Sequence, residues 1–153
     1  MAVDVGTVRV GVARSDPEGI LAVPETTLPR DGTTTAGVIE LAAAYDAIVI
    51  YVGLPLTLGG DRGLAAEAAL AFAEALARVA PCPIRMVDER LSTVTAQREL
   101  REAGRSSKGA RPVIDQAAAV LILEHALALE RASGNPAGSA VTFGPGGGEE
   151  APA

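Results

Sequence analysis

Four residues into the chain, a carboxylate interrupts a run of β-branched residues. Val3, Asp4 and Val5 lead into Gly6 and Thr7, and Val8, Val10 and Val12 resume the run around Gly11. Branching at Cβ favours extended backbone, and glycine tolerates a sharp turn, so a hairpin of two strands is predicted. An ionised carboxylate within a buried strand is costly unless something neutralises it. A metal ion or an arginine would do so, whereas an Asp4 that ended its strand on turn amides would avoid the cost. A phosphate loop is excluded, because neither G-x-G-x-x-G nor a terminal Gly-Lys-Ser/Thr occurs here.

The rest of the chain alternates strand and helix signals. Asp16 to Gly19 is a turn, and Ile20 to Leu28 reads as a third strand, with Pro24 marking an edge or a bulge. Thr33 to Thr35 can cap a helix to about Tyr45, with Val38, Leu41 and Ala42 on one face. Ala47 to Leu54 is a continuous apolar run, the pattern of a central strand buried on both sides. A glycine-rich loop, 53–63, precedes a helix to about Val79, with Leu64, Ala68, Phe72, Leu76 and Val79 at helical spacing. Ile84 to Val87 is a fifth strand ending in Asp88-Glu89-Arg90. Ser92 or Thr93 caps a helix to Ala103 that stops at Gly104, and Pro112 opens a last, largely apolar helix. This order predicts an α/β domain over 1–131, with a five-stranded mixed sheet and helices on both faces. Residues 132–153, rich in glycine and proline, are expected to form a disordered tail.

Composition narrows the function classes. The 153 residues suffice for one domain, but with no tryptophan and four other aromatics, stacking platforms for single strands are scarce. Cys82 is alone, so no internal disulfide and no thiolate metal site can form, and its Pro-Cys-Pro setting suggests an inert thiol. No leader or transmembrane run is visible, so a cytoplasmic protein is expected. The net charge of −6 weighs against nucleic acid, yet Arg98, Arg101, Arg105, Lys108 and Arg111 cluster within fourteen residues holding only Glu99 and Glu102 as acids.

In an open sheet of this kind the functional crevice lies at the carboxyl ends of the central strands. Asp4, the 53–63 loop and Asp88-Glu89 all fall there. Asp115, three residues past Pro112, shares a helical face with Ala118, Ala119 and Ile122, the face expected to meet the sheet. Taken singly, Asp115 reads as a first-turn capping acid before a ligand, and Glu89 equally as a solvated strand end or a ligand. Together Asp4, Glu89 and Asp115 would converge from three elements, and three like charges repel unless cations bind. Hard oxygen donors without a His or Cys pattern indicate Mg²⁺ or Mn²⁺, and ions so placed support phosphodiester hydrolysis. His125, the only histidine, is read as a surface or core residue.

The segments Asp4-Val-Gly-Thr-Val-Arg-Val-Gly, Val52-Gly-Leu-Pro-Leu, Asp88-Glu-Arg-Leu-Ser-Thr and Ile114-Asp-Gln-Ala-Ala-Ala-Val-Leu-Ile-Leu resemble, in order and spacing, the motifs of the YqgF/RuvX family. The resemblance reaches to about residue 130. It implies a ribonuclease H-like fold related to Holliday-junction resolvases, and a nuclease acting on structured nucleic acid. The preferred reading is processing of the 5′ end of pre-16S rRNA in ribosome biogenesis. Holliday-junction resolution in DNA recombination and repair, or non-catalytic nucleic-acid binding, are the alternatives. By resemblance, Asp4, Glu89 and Asp115 are the catalytic and metal-binding acids with Mg²⁺ or Mn²⁺ as cofactor. Arg9 and Arg90 would flank the site, and Arg98, Arg101, Arg105, Lys108 and Arg111 would meet the phosphate backbone.

The implied partners are nucleic acid, as pre-rRNA or branched DNA, and a ribosomal particle or other proteins. No membrane is involved, and monomer and homodimer both stay open. Two departures stand out: Met1 lies only three residues before Asp4, which suggests a truncated start, and the loop Arg105 to Arg111 is less basic than in relatives. An actin-like ATPase or sugar kinase shares the Asp-x-Gly hairpin, but that class uses two such domains.

Overall fold

The computed structural model describes residues 1–57, 59–90 and 111–142, and the side chains of 111–115 lie outside that description. The predicted helix from Ser92 or Thr93 to Ala103 therefore falls outside the described residues, as does the end of the chain beyond 142.

The opening valines fold as the hairpin expected, β1 (Ala2–Val5) against β2 (Arg9–Ser15), with β3 (Ala22–Pro29) antiparallel to β2. Then come α1 (Thr34–Ala44), β4 (Ile50–Leu54), α2 (Leu64–Ala77), β5 (Ile84–Asp88), α3 (Arg111–Ser133) and β6 (Ser139–Ala140). The sheet order is β3-β2-β1-β4-β5-β6, with β4 parallel to both β1 and β5. Pro24 lies on the edge strand, and a register shift opposite Val12 and Ala13 makes the bulge that its missing N–H invites.

Strand alternation divides the core in two. Val3, Val5, Val10, Val12, Ile50 and Val52 face α1 and α2, packing on Val38, Ala42, Ala69, Ala73 and Leu76. Ala2, Ala13, Tyr51 and Val87 face α3, packing on Ala119, Ile122, Leu123, Ala126 and Leu127. Each fully buried valine contributes on the order of 1.5–3 kcal/mol. The buried stripe of α2 differs from the one predicted. Ala66, Ala69, Ala73 and Leu76 meet the sheet, whereas Leu64 is 92% exposed and Val79 60% exposed. Small alanines let the helix lie close to the strands, and that proximity outweighs the larger side chains of the alternative face. The strand Ala47–Leu54 also begins later than predicted, at Ile50, leaving Ile48 exposed.

A sixth strand lies within the segment expected to be disordered. Composition hid three specific anchors. Arg85 donates from Nε to the Ala137 carbonyl (2.6 Å) and from Nη2 to that of Gly138 (2.8 Å). The Tyr51 hydroxyl accepts the Ala137 N–H (3.2 Å) and donates to Glu130 (2.8 Å), and burial pushes its pKa up to about 12. Ala137 is buried in the α3-side core. Burial also pushes the pKa of the Cys82 thiol up. Among the described residues, no helix is long and apolar enough to cross a membrane.

Gly138 has φ +66°, and a methyl group there would overlap the Met86 carbonyl. Gly138→Ala should therefore destabilise the protein by about 1–3 kcal/mol in urea unfolding. An unchanged midpoint would show that β6 contributes nothing to stability.

Candidate active site

The side chain of Asp4 is fixed by register. Ala2 and Asp4 point to one face of β1 and Val3 and Val5 to the other, so Asp4 faces α3. Opposite Asp4 on β2 stands Gly11, and Thr27 stands opposite Gly11 on β3. On the other side Val3 pairs with Val52, which brings Gly53 beside Asp4. Glycine therefore flanks Asp4 on both neighbouring strands, clearing side chains from the sheet surface around the carboxylate.

Glu89 occupies part of that cleared space. It follows β5 directly, its N–H donates to the Leu54 carbonyl (3.2 Å), and alternation from Val87 turns it to the α3 face. A methyl group at Gly53 would overlap a Glu89 carboxylate oxygen and stand 2.6 Å from Ile122 Cδ1. The missing side chain of Gly53 thus makes room for a carboxylate that lies over β4. Asp4 is 0% exposed and Glu89 2% exposed. The reading of Glu89 as a solvated strand end is excluded by this burial.

Asp115 belongs to α3, whose Ala118, Ala119 and Ile122 are buried against the sheet as its spacing predicted. Its side chain lies outside the described residues. The next residue, Gln116, donates from Nε2 to Thr27 Oγ1 (3.0 Å), which ties the start of α3 to β3 at the level of Asp4. Sequence reasoning assigned no role to Thr27 or Gln116, and only the register of β3 reveals their meeting. Among the described residues, no three His, Cys, Asp or Glu side chains form a metal-holding group. The two described acids nonetheless suit a hard divalent cation, being buried oxygen donors on a face emptied by glycine. His125 lies partly buried on α3.

The cations at this end of the sheet divide unevenly. Arg90 grips Asp88 in a bidentate pair, Nε to Oδ2 at 2.9 Å and Nη2 to Oδ2 at 2.6 Å, with Nε also 3.1 Å from Oδ1. Its Nη1 would stand 3.0 Å from a methyl group on Gly60, so the same guanidinium lies beside that glycine. The arginine holds the Asp88 carboxyl below its usual range. Arg9 is half-buried on the α3 side of β2, and Arg98, Arg101, Arg105 and Lys108 lie outside the described residues, with the side chain of Arg111. Of the aromatics, Tyr51 is buried, but Tyr45 is 45% exposed, under the Arg14 guanidinium 4.5 Å from its ring centroid.

Comparisons with known proteins agree with this architecture. A family model described as "RuvX: Holliday junction resolvase" matches residues 1–129. A protein of Clavibacter sepedonicus named "Putative pre-16S rRNA nuclease" is 51% identical over 144 residues, covering 92% of this chain and 89% of that protein. One of the same name from Rhodococcus opacus (strain B4) is 53% identical over 131 residues, covering 81% of this chain and 74% of that protein. Among solved structures, "T. thermophilus RuvC in complex with Holliday junction substrate" superposes with a TM-score of 0.52 at 14% identity, over 84% of this chain and 92% of that one. This likeness places the sheet and its helices in the ribonuclease H-like fold, with one strand more than the five expected.

Gly53→Ala should displace the Glu89 carboxylate and abolish any activity that depends on it, at an overpacking cost of about 1–3 kcal/mol. Full activity in the variant would show that Glu89 is not needed where it lies. The Asp88–Arg90 pair sets a pH dependence. Because the folded pKa of Asp88 is lowered, its contribution is complete above the unfolded value near 3.8 and disappears as pH falls through the folded one. Asp88 is 37% exposed, so Asp88→Asn should cost less than about 1 kcal/mol at neutral pH and nothing in strong acid. Urea midpoints measured across that range check the sign.

Proposed function

Because the chain belongs to the RuvX family, described as Holliday junction resolvases, we propose that it is a divalent-metal-dependent nuclease hydrolysing phosphodiester bonds in structured nucleic acid. The observation that supports this most directly is the pair of buried carboxylates, Asp4 and Glu89, on one glycine-cleared face. Two such anions are costly in a low-dielectric interior, and a shared cation offsets the cost. Carboxylate oxygens without convergent imidazole or thiolate favour Mg²⁺ or Mn²⁺. In this reading Asp115 supplies the third ligand from α3.

A bound ion of this kind activates water and stabilises the leaving oxygen in phosphodiester hydrolysis. The protein's own contribution is placement. Asp4 is fixed by its ladder to β2, Glu89 by the gap at Gly53, and α3 by Gln116 on Thr27. The apolar wall of Ala119 and Ile122 excludes bulk water from one side, which strengthens electrostatic interactions within.

The substrate follows the nearer relatives. Proteins about half identical to this chain carry the name pre-16S rRNA nuclease, which favours processing of the 5′ end of that precursor in ribosome biogenesis. Holliday-junction resolution is the second reading, favoured by the family's description. It would call for two sites about a symmetry axis.

The test is cleavage of a labelled pre-16S rRNA 5′ fragment and a four-way DNA junction in Mg²⁺, Mn²⁺ or EDTA. Asp4→Asn and Glu89→Gln should each lower cleavage by more than roughly 100-fold, since residues that merely orient a metal ligand already cost 10–100-fold. Retained cleavage in both variants, or cleavage in EDTA, would contradict the assignment.

A further inference from the structure

Nucleic acid must bring a polyanion toward buried carboxylates on a chain of net charge −6, so cations at the mouth of the site decide whether it can dock. Arg90, the cation nearest Glu89 in sequence, is not available without loss, because Asp88 neutralises it and Gly60 rests against it. Arg30 is placed differently. It follows the last residue of β3, and its N–H donates to the Val8 carbonyl (2.9 Å), extending the β2–β3 ladder. That is the end of the sheet at which Asp4 and Glu89 lie.

The Arg30 guanidinium donates from Nη1 to the carbonyl of Gly6 (2.8 Å), two residues after Asp4. A carbonyl orients the side chain but leaves its full positive charge. The neighbouring acid, Asp31, turns instead to Thr33, accepting from its N–H (2.7 Å) and its hydroxyl (2.6 Å). Arg30 is thus exposed, anchored at one nitrogen and, among the described residues, paired with no carboxylate. A guanidinium held this way loses little further freedom on binding and retains donors for an anionic oxygen.

We propose that Arg30 is a phosphate-contacting residue that docks the substrate backbone on the β1–β2 side of the site. The role rests on the nuclease reading above and extends it to a residue outside the acidic set. It concerns the sugar–phosphate backbone, which RNA and DNA share.

Binding measured without turnover tests it. Arg30→Ala and Arg30→Lys are each combined with the non-cleaving Asp4→Asn. Fluorescence anisotropy then follows a labelled pre-16S rRNA 5′ fragment and a labelled four-way DNA junction through a salt series. Arg30→Ala should weaken binding about tenfold and lower the slope of log K against log salt by roughly 1. Arg30→Lys should keep the slope and most of the affinity, and thermal unfolding should be nearly unchanged in both. The probe that responds identifies the nucleic acid.

A lower melting temperature with unchanged affinity and slope would overturn the proposal, reducing Arg30 to a brace for the β1–β2 turn. Cleavage by the wild-type chain, run alongside, separates the two levels of inference. If wild type cuts and Arg30→Ala binds equally well, only the role of Arg30 falls. If wild type neither binds nor cuts either probe, the nuclease reading falls and the role of Arg30 with it.

Discussion

Two carboxylates inside a sheet-and-helix core set the terms for everything near them. Asp4 is wholly buried between Val3 and Val5 in the β1–β2 ladder, and Glu89 is buried immediately beyond β5. An interior that takes up two such groups must supply space, fixed orientation and compensating charge. Space comes from Gly11 and Gly53, the strand neighbours of Asp4. Orientation comes from strand alternation, which turns both acids toward α3. In the proposed nuclease, a divalent cation held by these oxygen donors contributes to that compensation.

The surrounding elements serve that arrangement at different distances. The alanines of α2 let one helix pack closely behind the sheet, while α3 covers the carboxylate face through Ala118, Ala119 and Ile122. A smooth alanine contact gives little resistance to sliding along the helix axis. The Gln116–Thr27 hydrogen bond supplies a directional tie near the start of α3. On the other flank, Asp88 and Arg90 form a partly exposed pair beside Gly60 that contributes little raw stability.

Much of this was legible in the sequence, for identifiable reasons. The valine hairpin, the apolar run ending at Leu54 and the Pro24 bulge each follow from local stereochemistry, which a sequence states directly. Asp4 and Glu89 could be singled out because a carboxylate beside a buried strand is a local contradiction. The pairing of Glu89 with the gap at Gly53 was not legible, since it depends on the parallel register of β4 and β5. Arg30 and the Thr27–Gln116 contact were missed on the same ground, being products of register. The sixth strand was missed because Arg85 and Tyr51 anchor it from far away in the chain, while its own composition reads as tail. The helical face of α2 was misassigned because side-chain size is a poor guide where close approach favours alanine.

The central claim is that the Asp4–Glu89 face holds a divalent cation, and its most direct test is a crystal soaked in Mn²⁺ and measured at the manganese absorption edge. The account predicts an anomalous peak between the sheet and α3, about 2 Å from carboxylate oxygens of Asp4 and Glu89. It also predicts that the peak is lost in Asp4→Asn. A well-ordered crystal with no peak there, or with an arginine guanidinium closing on the Asp4 carboxylate in its place, would contradict it.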